Sequence, residues 1–210
     1  MTDTPSLPPP GHLKVTVTYL EMTARPVRRQ RPHPHERLSL LRAENCTLSF
    51  YRYLYDTVGE EWLWWFRRAL PATELRTILA DTRVEIYVAH VAGVPAGYVE
   101  LDRRTPGCCE IQYLGLVPEF IGMRIGPWLL DWAIEAAWNG AGVEKVTVNT
   151  CDLDHPRALM TYQKAGFHPV RQEVRFDPDP RLAGLIRRDA APHITLPDQP
   201  LLAPGKTRTE

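Results

Sequence analysis

The stretch YLGLVPEFIGMRIGPWLL, Tyr113–Leu130, runs from apolar strand residues into Pro118, bends through Gly122 and Gly126, and opens a helix at Pro127. A strand that turns through glycines straight into a helix gathers unpaired backbone N–H groups and the positive end of the helix dipole at one place, which suits a phosphate. Two familiar nucleotide systems fail on chemistry. A Walker loop requires Gly-Lys-Ser/Thr, and neither the lysine nor the hydroxyl follows Gly126. The dinucleotide fingerprint G-x-G-x-x-G requires three glycines, where only Gly122 and Gly126 stand.

The flanking residues predict the architecture. LKVTVTYLEM (13–22) alternates apolar and polar residues as a strand, RVEIYVAHV and PAGYVELDR form a hairpin about Gly93, and CCEIQYLGLV (108–117) is a third consecutive strand. EKVTVNTC (144–151) and FHPVRQEVRF (167–176) add two more, with a helix from Gly126 to Asn139 and a short one within HPRALMTYQKAG (155–166). From Ser39 to about Leu70 the pattern reads as two helices broken at DTVGEE, with Trp62, Trp65, Phe66 and Ala69 on one apolar face and Trp64 off it. The order predicts an α/β fold: a mixed, mostly antiparallel central sheet with helices on both faces.

With 210 residues, 44% hydrophobic and 24% charged, the chain is long enough for one domain with a sizeable core. Lys plus Arg equals Asp plus Glu at 25 each, so no net field draws it to nucleic acid or an anionic membrane. Four cysteines without a C-x-x-C pair are expected as free thiols, and no apolar run approaches a membrane span. A cytoplasmic protein is expected, with a mobile segment over 1–12, a domain over 13–176 and a proline-punctuated tail over 177–210 that either docks or hangs free. The basic connection containing Arg25, Arg28, Arg29, Arg31 and Arg37 reads as solvated; His33 and His35 are a weak metal signal, and no metal is expected.

Two segments carry a resemblance. EFIGMRIG (119–126) resembles the pyrophosphate motif of the GNAT superfamily of N-acyltransferases, Q/R-x-x-G-x-G/A with a further glycine: Gly122 and Gly126 match, Glu119 takes the Q/R position, and Arg124 replaces the second glycine. HPRALMTYQKAGF (155–167) is similar to that family's N-x-x-A-x-x-x-Y-x-K-x-G-F, with Ala158, Tyr162, Lys164, Gly166 and Phe167 matching and His155 in place of asparagine. Since the family accepts alanine where Arg124 stands, the backbone there need not have a positive φ, and a larger residue is sterically admissible.

The resemblance covers 13–176 and implies that EIQYLGLV and EKVTVNTC splay apart as an acetyl-CoA cleft. It implies pantetheine contacts at Leu116 and Val117, and a pyrophosphate cradle from Gly122, Met123, Arg124, Ile125, Gly126 and Pro127, with His155 as a cap or coenzyme contact. Tyr162 takes the place of the general acid, and Glu110 is the candidate base with Gln112 on the same strand face. Trp64, Tyr55 and Gln112 are expected at the acceptor, with Asp56, Glu60 and Glu61 beside the rings to attract a cation. The expected function is acetyl transfer from acetyl-CoA to a small primary amine by direct attack in a ternary complex. The alternatives are a non-catalytic acyl-CoA-binding module and a protein or peptide acetyltransferase; a homodimer is possible by family habit.

Overall fold

A computed structural model describes residues 7–27 and 31–197. The first half of the expected mobile segment, Arg28 and Arg29, and the tail from 198 onward lie outside the described residues.

Seven strands form one open sheet in the order β2-β3-β4-β5-β6-β1-β7. They are β1 (His12–Met22), β2 (Leu38–Arg42), β3 (Val84–Val91), β4 (Val94–Asp102), β5 (Cys108–Leu116), β6 (Lys145–Cys151) and β7 (His168–Pro178). Every pairing is antiparallel except β5 with β6. Alternation along the strands divides the core in two. Val99, Leu101 and Ile111 face α4 (Ile125–Trp138) and α5 (Ala158–Lys164), whose Leu129, Ala133 and Tyr162 pack in the same cluster. Ile86, Val88 and Tyr98 face α1 (Leu48–Gly59) and α3 (Ala72–Ala80), which bury Tyr51, Leu54 and Leu75 against them.

The segment 39–70 departs from its expected helical reading. Leu38–Arg42 is an edge strand, paired from Leu38↔Val91 to Arg42↔Tyr87, because a partner strand outweighs weak helical periodicity in five residues. Helix α1 starts at Thr47, whose hydroxyl accepts from Phe50 N at 3.4 Å, and it continues through Asp56–Gly59 rather than breaking there. The second helix is instead split into a 3₁₀ turn (Glu60–Trp62), a left-handed Leu63 at φ 53° and a four-residue α2 (Phe66–Ala69). The helical face expected of Trp62, Trp65, Phe66 and Ala69 does not form across this break: Trp62, Trp65 and Phe66 all line a cavity, and Phe66 is 45% exposed. α3, unanticipated, follows Pro71 and carries Glu74 in its first turn.

After β7 the chain docks. Arg181 and Asp179 form a buried pair, and the Arg181 guanidinium also donates to the carbonyls of Ala190, Ala191, Ile194 and Thr195. Ile186, Ala190 and Ala191 then pack on Leu63 and Trp65. In the basic connection, Arg25 pairs with Glu135 and Arg31 with Asp131, both on α4. The four cysteines are free, and no helix among the described residues is long and apolar enough to cross a membrane.

Candidate active site

β5 and β6 share a ladder only from Cys108↔Lys145 to Ile111↔Val148. Beyond that point β5 stays with β4 to Gly97↔Leu116, while β6 stays with β1 to Val17↔Cys151, so two well-paired halves of a twisted sheet diverge. The gap opens into a cavity of about 790 Å³, within the usual size of small-molecule sites. Gly115 lets α1 approach this edge, and Gly97 lets β4 approach β5. A Cβ on Gly115 would lie 2.4 Å from Val58 Cγ1, and one on Gly97 2.5 Å from the Gly115 carbonyl oxygen.

At one part of the cavity lies the glycine bend. Pro118–Phe120 is a single 3₁₀ turn, Gly122 follows at φ 91°, and Arg124 caps α4 at φ 61°. Although the motif does not require a positive φ at Arg124, the structure has one: without a Cβ penalty at Gly122 the chain reverses once, and it reverses again at Arg124 to aim the first turn of α4 at the gap. Among the described residues the N–H groups of Arg124, Ile125 and Gly126 have no acceptor, the ordinary state of a helix start that faces an anion or water. Met123 N is engaged with Phe120 O at 3.4 Å. A Cβ on Gly126 would meet Leu116 Cδ1 at an ordinary 3.5 Å, so packing does not demand this glycine; its bare Cα leaves the cavity floor open. Glu119 is exposed on the 3₁₀ turn and does not line the cavity.

Tyr162 reaches the same cavity from α5, and among the described residues its hydroxyl has no hydrogen-bond partner. Burial, with a smaller contribution from the Asp154 carboxylate, holds this phenol well above its usual range. Asp154, in the turn between β6 and α5, also lines the cavity; Trp64 Nε1 donates to its Oδ1 at 3.2 Å, and Thr150 Oγ1 and Cys151 N donate to Oδ2 at 2.8 and 2.9 Å. His155 Nδ1 accepts from Arg157 N at 3.1 Å, a cap on the start of α5, and its ring meets Trp62 at 5.4 Å.

Of the residues expected at the site, Tyr55, Trp64, Gln112, Leu116, Gly122, Arg124, Gly126, Pro127, His155 and Tyr162 line this one cavity. Others do not. Val117 gives its N–H to Ala96 O and buries its side chain under α1; Ile125 is wholly buried; Met123 points to solvent. Glu110 sits in the paired part of β5, below the lining, where Asn149 Nδ2 donates to its Oε1 at 3.2 Å. Burial is the largest cause raising the Glu110 carboxyl above its usual value. Asp56 and Glu60 are tied to Arg68, and neither they nor Glu61 line the cavity.

A model of the acetyltransferase (GNAT) family matches residues 49–167. The chain belongs to the GNAT family. Similar solved structures include a GCN5-related N-acetyltransferase from Sphaerobacter thermophilus (TM-score 0.55, 17% identity, 79% of this chain and 52% of that one). Another, from Kribbella flavida, gives a TM-score of 0.55 at 15% identity over 83% and 63% of the two chains. A conserved protein of unknown function from Staphylococcus epidermidis gives 0.53 at 16% over 80% and 63%. The chain thus spans between half and two thirds of the length of these structures. Identities this low show the fold alone. A comparison with curated protein sequences found no match.

The family match covers β5, the glycine bend, α4, β6 and α5, the elements that open the gap and its N-terminal bend. Several lining residues of this GNAT chain had no motif to announce them: Tyr113, Asn149, Asp154 and Arg67. Arg67 is held in the cavity wall by the fully buried Glu100 of β4, to which its Nη2 donates at 2.5 Å while Tyr51 Oη donates at 2.5 Å to the other oxygen. A basic residue following an aromatic run was the available signal, and it reads equally well as solvent-facing.

Proposed function

We propose that the protein transfers an acetyl group from acetyl-CoA to the primary amine of a small molecule with an apolar or aromatic body, by direct attack in a ternary complex. The observation that carries this reading is that one cavity joins the open N-terminus of α4 to a wall of Tyr55, Trp62, Trp64, Trp65 and Tyr113, with Tyr162 in its lining. Acetyl-CoA supplies a thioester, an acyl group already activated toward an amine. The residues fit it. The N–H groups of Arg124, Ile125 and Gly126 and the Arg124 side chain would hold the pyrophosphate, and the unpaired edge of β5 near Leu116 would run beside the pantetheine.

Tyr162 keeps its proton at neutral pH and offers it from Oη into the cavity, as a group that must protonate a departing thiolate should. Glu110, raised by burial, is a base matched to an ammonium, acting through water at the Asn149 side of the cavity. A covalent route through Cys151 is disfavoured: burial, then Asp154, pushes this thiol to about 12, leaving about one thiolate in 10⁵ at pH 7. The aromatic wall and a cavity of this size favour a small acceptor over a folded protein.

The test is thiol release from acetyl-CoA with a panel of arylalkylamines, aliphatic amines, polyamines, aminoglycosides and peptides. Turnover is expected first with arylalkylamines, and Tyr162→Phe is expected to lower kcat by roughly 10² to 10⁴ with the coenzyme-induced shift in Tm retained. Coenzyme binding without turnover of any amine, or turnover confined to aminoglycosides or peptides, overturns the reading.

A further inference from the structure

Charges around the cavity are almost all answered. Arg67 pairs with Glu100 and Arg175 with Asp177. Arg124 and Arg157 belong to the glycine bend and the start of α5, where the anionic end of the coenzyme is placed by the reading above. Asp154 stands apart. It lines the cavity, and among the described residues no Lys, Arg or His nitrogen pairs with it; its contacts are three neutral donors, Trp64 Nε1, Thr150 Oγ1 and Cys151 N.

Those donors fix its direction. Three of the four lone pairs are engaged by the protein, two on Oδ2 and one on Oδ1, which leaves one on Oδ1, while the turn at Asp154–His155 holds the group beside Tyr162, whose phenol feels its charge. The surrounding rings are also fixed: Trp64 lies 5.6 Å from Tyr55 and 5.1 Å from Tyr113. Trp64 itself is seated by glycine, since a Cβ on Gly59 would stand 2.6 Å from its Cβ. A carboxylate held by neutral donors at the end of an aromatic box is complementary to a cation that brings its own N–H groups.

We infer that Asp154 is the subsite for the ammonium of the acceptor, with Trp64, Tyr55 and Tyr113 around its carbon body. This rests on the proposed transfer reaction but makes a separate claim, because it concerns how the amine is bound before any proton leaves. It assigns to Asp154 the attraction that sequence patterns place on Asp56, Glu60 and Glu61. It also explains why Trp64 must be tryptophan: its N–H orients the carboxylate and its face lines the box.

The experiment uses the full chain saturated with CoA and measures stabilisation by an arylalkylamine, by its neutral alcohol isostere and by its N-acetylated product. In the wild type the amine is expected to bind about ten- to a hundredfold more tightly than the alcohol, the range for a charge-assisted hydrogen bond. Asp154→Asn removes the charge and, with its carbonyl oxygen turned to Cys151 N and Thr150 Oγ1, gives up only the Trp64 hydrogen bond; it is expected to erase that preference while leaving the affinity for CoA unchanged and that for the neutral product little changed. With acetyl-CoA the variant should raise the KM of the amine by the same factor, and the acidic limb of its kcat profile should move to lower pH, since the bound ammonium loses a neighbouring anion. Equal binding of amine and alcohol in the wild type overturns the inference without recourse to any variant. So does an Asp154→Asn protein that weakens amine and product alike, which marks a structural role only. Amine-selective binding without turnover sustains the subsite and overturns the transferase reading alone.

Discussion

At Glu110 a functional demand and a stability cost meet. Its carboxyl is raised above the ordinary 4.5, chiefly by burial, so the fold favours the protonated form. The stabilisation associated with that proton is therefore complete below pH 4.5 and is lost as pH rises through the folded-state value. Above it, the ionised group is a burden that glutamine does not carry. Glu110→Gln is expected to melt higher than the wild type at pH 7 to 8 and at the same temperature near pH 4, while lowering the acetylation rate. Calorimetry at the two pH values reads the sign directly; a variant that melts lower at pH 7 contradicts this account of the residue. The candidate site was unevenly legible at this scale. Tyr162, Gly122 and Arg124 stand in recognisable positions of a local motif, whereas Asp154 and Arg67 owe their place to partners far away in the chain.

At the scale of elements, the cleft depends on how closely α1 can press against β4 and β5. Gly115 and Gly97 have no positive φ; they are glycine because a side chain has no room. Gly115→Ala would push on Val58 Cγ1, 2.4 Å from the added carbon, and overpacking of this kind costs about 1 to 3 kcal/mol. The paired change Val58→Ala removes the obstacle and should recover much of the loss, so the double variant is expected to be more stable than the sum of the singles. Urea denaturation of the four proteins tests this. Additive losses would show that α1 does not set the spacing. The strands were readable because alternation is a local property of β1, β3, β4, β5, β6 and β7. β2 was not, since LSLLR is a strand only by virtue of its partner β3.

Across the whole molecule, the wall of the cavity is backed by residues beyond the family match at 49–167. The segment after β7 buries Ile186, Ala190 and Ala191 on Leu63 and Trp65, and His193 meets the Trp62 ring at 5.6 Å, opposite a ring that also touches His155. Arg181 holds that segment. Arg181→Met would leave Asp179, which is fully buried, without its cation, at a cost of about 3 to 5 kcal/mol and a fall in Tm of roughly 10 °C. Below that Tm the variant is expected to bind the coenzyme normally but to show a raised acceptor KM. An unchanged Tm would mean that the docking contributes nothing to the fold.

The sequence by itself determined the periodic strands, the bend from β5 into α4 and the helix carrying Tyr162, because turn chemistry and alternation act between near neighbours; the divergence of the two central strands followed only from the family resemblance. Only the tertiary structure decided the shape of the acceptor wall. The run EEWLWWFRRAL has helical spacing, yet Leu63 leaves the helix to meet Ile186 of the docked segment, and Trp64 turns to bond Asp154, 90 residues away. Contacts at that separation are absent from any local pattern, and here they outweigh the modest propensity of a short helix.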